Sequence, residues 1–244
     1  MSGGVSGNGT TLLRTAFRGR ILRSLRVDGE GRAVTRMTHP EPQLALLLER
    51  SPAASAAEPA TRAAIGRAVT ELVGALRSHH LGTADHSNRL ATGCRAVGEQ
   101  LALRADELFE LELVAILHDI GKLAVPVEIL DLARPLNSGE RVVVRSHTVR
   151  GAEILADVAG LQHLAPLVRA SHERWDGTGY PDRLFGAAIP LAARIVFTVD
   201  SYDAMTNDRP YRRALERDEA RHRIQTGAGT AFDPRVVRAL LRAL

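Results

Sequence analysis

The stretch Leu108-Phe109-Glu110-Leu111-Glu112-Leu113-Val114-Ala115-Ile116-Leu117-His118-Asp119-Ile120-Gly121-Lys122 decides how the rest of the chain is read. Leu108, Leu111, Ala115 and His118 recur at helical spacing, and Gly121 ends the run. The spacing predicts a core helix that delivers an imidazole and a carboxylate side by side. One carboxylate can bridge two divalent cations, so His118 and Asp119 are the first candidates for a metal centre. Lys122 follows at once. It is the sole lysine among 32 basic Lys and Arg residues. A compact, flexible ammonium differs chemically from the planar guanidinium used everywhere else.

Helical periodicity continues on both sides. Ile65, Val69, Leu72 and Leu76 form one stripe, and Leu90, Cys94, Val97 and Leu101 form another. Asn137 followed by Glu140 predicts a capped helix carrying Val143, His147, Gly151 and Ile154 on one face. Ile195, Val199, Tyr202 and Met205 mark a further helix, and Asp233-Pro234 starts a last one to Leu244. There is no period-two strand pattern and no internal repeat. The expected fold class is all-α, a compact helical bundle.

The N-terminal quarter differs. Residues 1–60 read as a variable segment, with Gly/Ser-rich Met1–Thr10 expected to be disordered. Thr11–Val27 places Leu13, Phe17 and Ile21 among five arginines. That pattern fits a basic amphipathic helix for a membrane surface or partner, or a marginal helix with a solvated charged face; the second is preferred. Ser51–Ala60 is Ala/Ser/Pro-rich and reads as a linker. The domain proper is expected over 61–244.

Composition narrows the function classes. The 244 residues are 45% hydrophobic but only 4% aromatic, so the core is aliphatic. A formal charge of +4, spread along the chain, favours an anionic substrate weakly and gives no DNA-binding signature. The single cysteine, Cys94, excludes an internal disulfide and fits a reducing, cytoplasmic setting; it reads as a small core residue. The longest apolar candidate, Ile189–Val199, is interrupted by Pro190 and Arg194, so no transmembrane segment is expected. No signal-peptide pattern opens the chain.

The histidines and acids inside the helices form an ordered set: His86, His118-Asp119, His147, His172 and Asp200. Imidazole and carboxylate suit Mn, Fe, Co, Ni or Zn. Without a close Cys pair, a structural zinc site is not expected. His39, His79, His80, His163 and His222 have no such partner logic and read as core or surface residues.

Downstream, His172-Glu173-Arg174-Trp175-Asp176-Gly177-Thr178-Gly179-Tyr180-Pro181 is an aromatic, glycine-hinged loop. With His86-Ser87-Asn88-Arg89, His118–Lys122, Ser146-His147 leading into Gly151–Leu155, Ile189–Ile195, Asp200–Thr206, Asp208–Arg212 and Phe232-Asp233-Pro234, the chain resembles the HD-GYP family of HD-domain phosphohydrolases. The resemblance runs from about Ser78 to the C-terminus. It implies an HD-type bundle and a bacterial signalling phosphodiesterase that hydrolyses cyclic di-GMP to the linear dinucleotide or GMP. It implies two divalent metal ions, such as Fe or Mn, held by His86, His118, Asp119, His147, His172 and Asp200. Lys122, Arg209 and Arg212 would hold substrate phosphates, Asp203 would reach a guanine edge, and Gly179, Tyr180 and Pro181 would form the lip. A homodimer or signalling partner proteins fit the same role.

Two positions depart from the family. Ser171 stands where the family usually has a second histidine before His172, and a hydroxyl is a poor ligand at neutral pH. Gly82 stands where members with a third metal carry an acid, so no third ion is expected. Two outcomes stay open: six ligands hold two metals and the enzyme turns over, or the site binds nucleotide or partner proteins without turnover. Another phosphate ester is the remaining substrate alternative.

Overall fold

The computed structural model of the chain describes residues 59–80, 84–208 and 213–244. The expected N-terminal segment up to residue 58, Gly82, Arg209 and Arg212 lie outside them. In chain order the helices are α1 (Pro59–His79), α2 (Ala84–Gln100), α3 (Ala105–Leu117), α4 (Val127–Leu130), α5 (Ser138–Arg145), α6 (His147–Ala156), α7 (Ala165–Arg169), α8 (Leu191–Thr206), α9 (Arg217–Thr226) and α10 (Pro234–Ala243). Short 3-10 turns cover Ile120–Ala124, Gln162–Leu164 and Gly186–Ala188. The described residues contain no strand, only the isolated bridges Asp176–Phe185 and Ala228–Phe232.

Helix α3 is the centre. Its first turn carries Asp106 and Glu107, which oppose the helix dipole, and the Glu107 carboxylate accepts from the Arg104 backbone N–H at 2.9 Å. Beyond that turn, Leu108 and every residue from Leu111 to Leu117 are buried. Sequence periodicity predicts one buried stripe, but the helix is buried all round because α2, α8 and α1 pack against it. Glu112, an acid within this core, is satisfied by Arg95 at 3.2 Å. Cys94 is fully buried between Leu90 and Val97, and burial pushes its thiol pKa up.

The α-helix stops at Leu117, and the chain tightens into the 3-10 turn Ile120–Ala124. Gly121 makes this possible. A β-carbon there would overlap the His147 carbonyl oxygen and lie 2.5 Å from the Gly151 nitrogen. Turn and α6 therefore meet backbone to backbone, which holds the His118-Asp119 corner against His147.

Asn137 and Glu140 form the expected capping box: the Glu140 N–H donates to Asn137 Oδ1 at 2.9 Å, and the Asn137 N–H donates to Glu140 Oε2 at 2.8 Å. The single helix expected through Val143, His147 and Ile154 is instead two. It breaks at Ser146, whose hydroxyl donates to the Val143 carbonyl at 2.7 Å. Exposed α5 has no buried residue, whereas α6 buries His147, Thr148, Gly151, Ile154 and Leu155. The break lets one segment stay in solvent while the next turns into the core. At the C-terminus, Asp233 caps α10 through the Arg235 N–H at 2.7 Å and pairs with Arg194 of α8 at 2.6 Å.

Candidate metal centre

Five places in the fold deliver the ordered histidines and acids. His86 comes from the first turn of α2, and His118-Asp119 from the end of α3. His147 opens α6, and Asp200 and Asp203 lie one turn apart on α8. His172, expected within a helix, lies in the turn after α7, which stops at Arg169. That turn still brings its ring to 5.0 Å from His147 and 6.3 Å from His118, centroid to centroid.

The ligand atoms fall into two groups that share one residue. His86, His118 and Asp119 form the first; Asp119, His147 and His172 form the second. Within each group the candidate atoms lie within 4.8 Å of one another. Asp200 joins through its Oδ1, 3.3 Å from His86 Nε2.

Second contacts aim the rings. His118 Nδ1 lies 2.8 Å from the Ala115 carbonyl, and His147 Nδ1 lies 2.7 Å from the Val144 carbonyl. A carbonyl only accepts, so each proton sits on Nδ1 and each Nε2 keeps its lone pair. Those Nε2 atoms face Asp119, at 3.5 and 3.6 Å. His147 Nε2 is buried and has no hydrogen-bond partner. A buried, unpartnered lone pair beside a carboxylate is costly unless a cation takes it, and the donor set around it is of the kind that holds one.

The charge states agree with this chemistry. Burial would raise the Asp119 pKa, but His118, Lys122 and His147 hold it well below the usual carboxylate range. Lys122 Nζ lies 2.6 Å from Asp119 Oδ2. Burial lowers His147 against the opposing pull of Asp119. Burial, then the neighbouring His147, takes His172 down to about 3. Both rings are therefore neutral at physiological pH, as ligands must be. Burial would also lower His86, but Asp200 and Asp203 outweigh it and raise it to about 9. A cation at His86 would have to displace its Nε2 proton. Asp200 is itself held low by His86, His118 and His172 against its own desolvation.

The aromatic loop borders the same cluster. Tyr180 stacks on His172 with centroids 5.2 Å apart and planes 8° from parallel, and the Arg145 guanidinium lies 5.0 Å from the Tyr180 centroid. Gly179 is needed for close approach, since a β-carbon there would overlap the Glu173–Arg174 backbone. Buried Glu173 accepts from the Asp182 and Leu184 N–H groups at 2.7 and 3.1 Å, fixing the loop from Pro181 onward. Asp176 ties the near side, accepting from Arg174 and Thr178.

Sequence reasoning gave no role to Arg145 or Glu173, and it missed the pairing of Arg89 and Asn207 with Asp203. The loop tyrosine and the acid directly after His172 were the available signals. The Arg89–Asp203 contact spans 114 residues and had none. His79, His80 and His163, expected to have no part in the site, contact Val125, Asp131 and Glu110 respectively.

The HD domain family model matches residues 72–236. The chain belongs to the HD domain family. It is 39% identical over 176 residues to the cyclic di-GMP phosphodiesterase response regulator RpfG of Xanthomonas campestris, covering 71% of this chain and 47% of that protein. It is 39% identical over 162 residues to the 3'3'-cGAMP-specific phosphodiesterase 3 of Vibrio cholerae, covering 66% of this chain and 35% of that one. The chain thus spans about half or less of the length of these relatives. Among solved structures, Bd1817, an HDG"Y"P protein from Bdellovibrio bacteriovorus, aligns with TM-score 0.58 at 15% identity, over 96% of this chain and 80% of that one. The Vibrio cholerae cyclic GMP-AMP phosphodiesterase V-cGAP3 aligns with TM-score 0.53 at 21% identity, over 70% and 46%. These likenesses support the all-α HD fold. Among the described residues no helix is long and apolar enough to cross a membrane.

Proposed function

We propose that the HD-GYP domain is a metal-dependent phosphodiesterase that hydrolyses cyclic di-GMP or a related cyclic dinucleotide. The observation that carries this reading is Asp119, the one residue common to both ligand groups. His86 and His118 would hold one divalent cation with it, His147 and His172 a second, and Asp200 would add a carboxylate beside His86. Iron or manganese suits this mixed imidazole and carboxylate set. Bound there, the cations would supply an activated water at neutral pH and neutralise phosphoryl charge.

The rest falls to the chain's own side chains. Lys122, partly exposed and anchored at Asp119, presents a positive charge beside the shared carboxylate, where a substrate phosphate would approach. Arg209 and Arg212 would add bidentate phosphate contacts. Gly179, Tyr180 and Pro181 line the entrance, with Tyr180 resting on His172. Cyclic dinucleotide is preferred over other phosphate esters because the relatives named above act on cyclic di-GMP and 3'3'-cGAMP. The reducing setting that suits Cys94 fits a cytoplasmic enzyme.

Mn- or Fe-loaded protein is expected to linearise cyclic di-GMP or 3'3'-cGAMP, with Asp119→Ala as control. No product above that control sinks the proposal.

Ser171 motivates a second reading, a nucleotide-binding module without turnover. Its hydroxyl is buried and has no hydrogen-bond partner. Under the hydrolase reading, Ser171→His tightens metal binding in a titration with Mn2+ and raises turnover. An unmoved titration would show that Ser171 is not the weak point.

A further inference from the structure

Asp203 has little freedom to meet a substrate. Its Oδ2 lies 2.7 Å from His86 Nδ1 and 3.3 Å from an Arg89 terminal nitrogen. Its Oδ1 accepts from Arg89 Nε at 2.8 Å and from the Asn207 side-chain amide at 2.9 Å. The carboxylate is mostly buried, at 12% exposure. Both oxygens are therefore engaged by protein donors, and a guanine edge would have to displace a charge-assisted bond to bind there.

The geometry has a simple consequence for His86. A carboxylate accepts only, so its contact at 2.7 Å keeps a proton on Nδ1 and leaves Nε2 on the side of Asp200, 3.3 Å away. His118 and His147 are aimed the same way by backbone carbonyls three residues before them in the chain. His86 sits in the first turn of α2 and takes its acceptor from α8 instead. Arg89, one turn further along α2, grips the same carboxylate and so fixes α8 against α2 at this point. Asn207 braces it from the end of α8.

We infer that Asp203 is a positioning residue for His86, held in place by Arg89 and Asn207, rather than a contact for the substrate base. The inference rests on the reading of His86 as a metal ligand given under the proposed function. Partners of this kind set ring orientation and ligand basicity, and their loss typically weakens metal binding by about 10- to 100-fold.

The test is Mn2+ titration of the full chain by calorimetry, with Co2+ as a spectroscopic probe. Asp203→Ala should weaken binding of one cation by about 10- to 100-fold and leave the other near wild type. Asp203→Glu should recover part of the loss. In the Co2+ protein, wild type should show an exchangeable, paramagnetically shifted Nδ1 proton from His86. That signal should vanish in His86→Ala and in Asp203→Ala, a change that a general loss of stability would not produce. With saturating Mn2+, Asp203→Ala should keep the wild-type KM for cyclic di-GMP. Should Asp203→Ala not fold, Arg89→Ala leaves the carboxylate in place but loosens it, and should show a smaller loss in the same direction. Wild-type Mn2+ affinity in Asp203→Ala together with a raised KM overturns the inference in favour of a base contact. If His86→Ala itself leaves Mn2+ binding unchanged, the metal-ligand reading fails first, and the two failures are told apart.

Discussion

Gly121→Ala tests how far the fold and the candidate site depend on one contact. A methyl group there would overlap the His147 carbonyl oxygen and come within 2.5 Å of the Gly151 nitrogen and 2.7 Å of the His147 carbonyl carbon. All three belong to the backbone of α6, so no side chain can swing aside. Helix α6 must shift away from the 3-10 turn to restore ordinary contact distances. Overpacking of this type costs about 1–3 kcal/mol, and clash with backbone places it near the upper end. For a domain of this size, about 3 kcal/mol lowers Tm by roughly 6–12 °C. The shift also carries His147 away from Asp119, now 3.6 Å distant, so Mn2+ affinity should fall with stability. Gly139 is the matched control. It lies in exposed α5, and its nearest neighbour to an added β-carbon is Asn137 Oδ1 at 3.4 Å. Gly139→Ala should be neutral, or up to about 1 kcal/mol more stable, because alanine favours helix. Thermal melts followed by far-UV circular dichroism, with and without Mn2+, read both. A Gly121→Ala protein that melts with wild type and binds Mn2+ normally would refute the reasoning.

Three further outcomes follow from the same geometry. Mn2+ at about a hundred times its dissociation constant should stabilise the protein by about 2.7 kcal/mol, raising Tm by roughly 5–11 °C; EDTA should reverse it, and a Tm indifferent to both would count against a bound cation. Lys122→Met should lower kcat for cyclic di-GMP by about 10²- to 10³-fold, and should also lower Tm in the metal-free protein because buried Asp119 loses its 2.6 Å partner; unchanged kcat would remove Lys122 from the reaction. Arg174, helped by Thr178, holds Asp176 below its ordinary pKa against a small desolvation cost. The folded pKa is depressed, so the stabilisation is complete above about pH 4 and fades as pH drops below it. The Tm difference between wild type and Asp176→Asn should therefore be constant near neutrality and shrink in acid; a difference that grows in acid would contradict the assignment.

What the sequence disclosed and what it hid divide along physical lines. Helices α2, α3, α8 and α10 were legible because apolar stripes recur at helical spacing, and because Asp233-Pro234 announces a start. The capping box at Asn137 and Glu140 marked the start of α5 for the same local reason. The break at Ser146 was invisible, since Val143, His147 and Gly151 keep one period across it and no Pro or Gly interrupts. The run at Leu108–Leu117 showed where the core is, but not that the helix is buried on every side. That depends on what packs around it. His118 and Asp119 stood out as neighbours at a helix end. Their grouping with His86, His147 and His172 rested on residue chemistry and chain order, with the resemblance beside it; periodicity alone could not show the convergence, because each arrives from a separate element. The bracing of Asp203 by Arg89 and the seating of Gly121 on α6 depend on contacts between distant segments, which periodicity cannot reveal.

The claim at the centre is that Asp119 serves two cations at once. Elemental analysis of tightly bound metal, after loading with Mn2+ and desalting, addresses it directly. The account predicts about two ions per chain in the wild type, about one in His86→Ala, and a loss of both in Asp119→Ala. An Asp119→Ala protein that still carries an ion as firmly as wild type would show that the two ligand groups do not share a bridge.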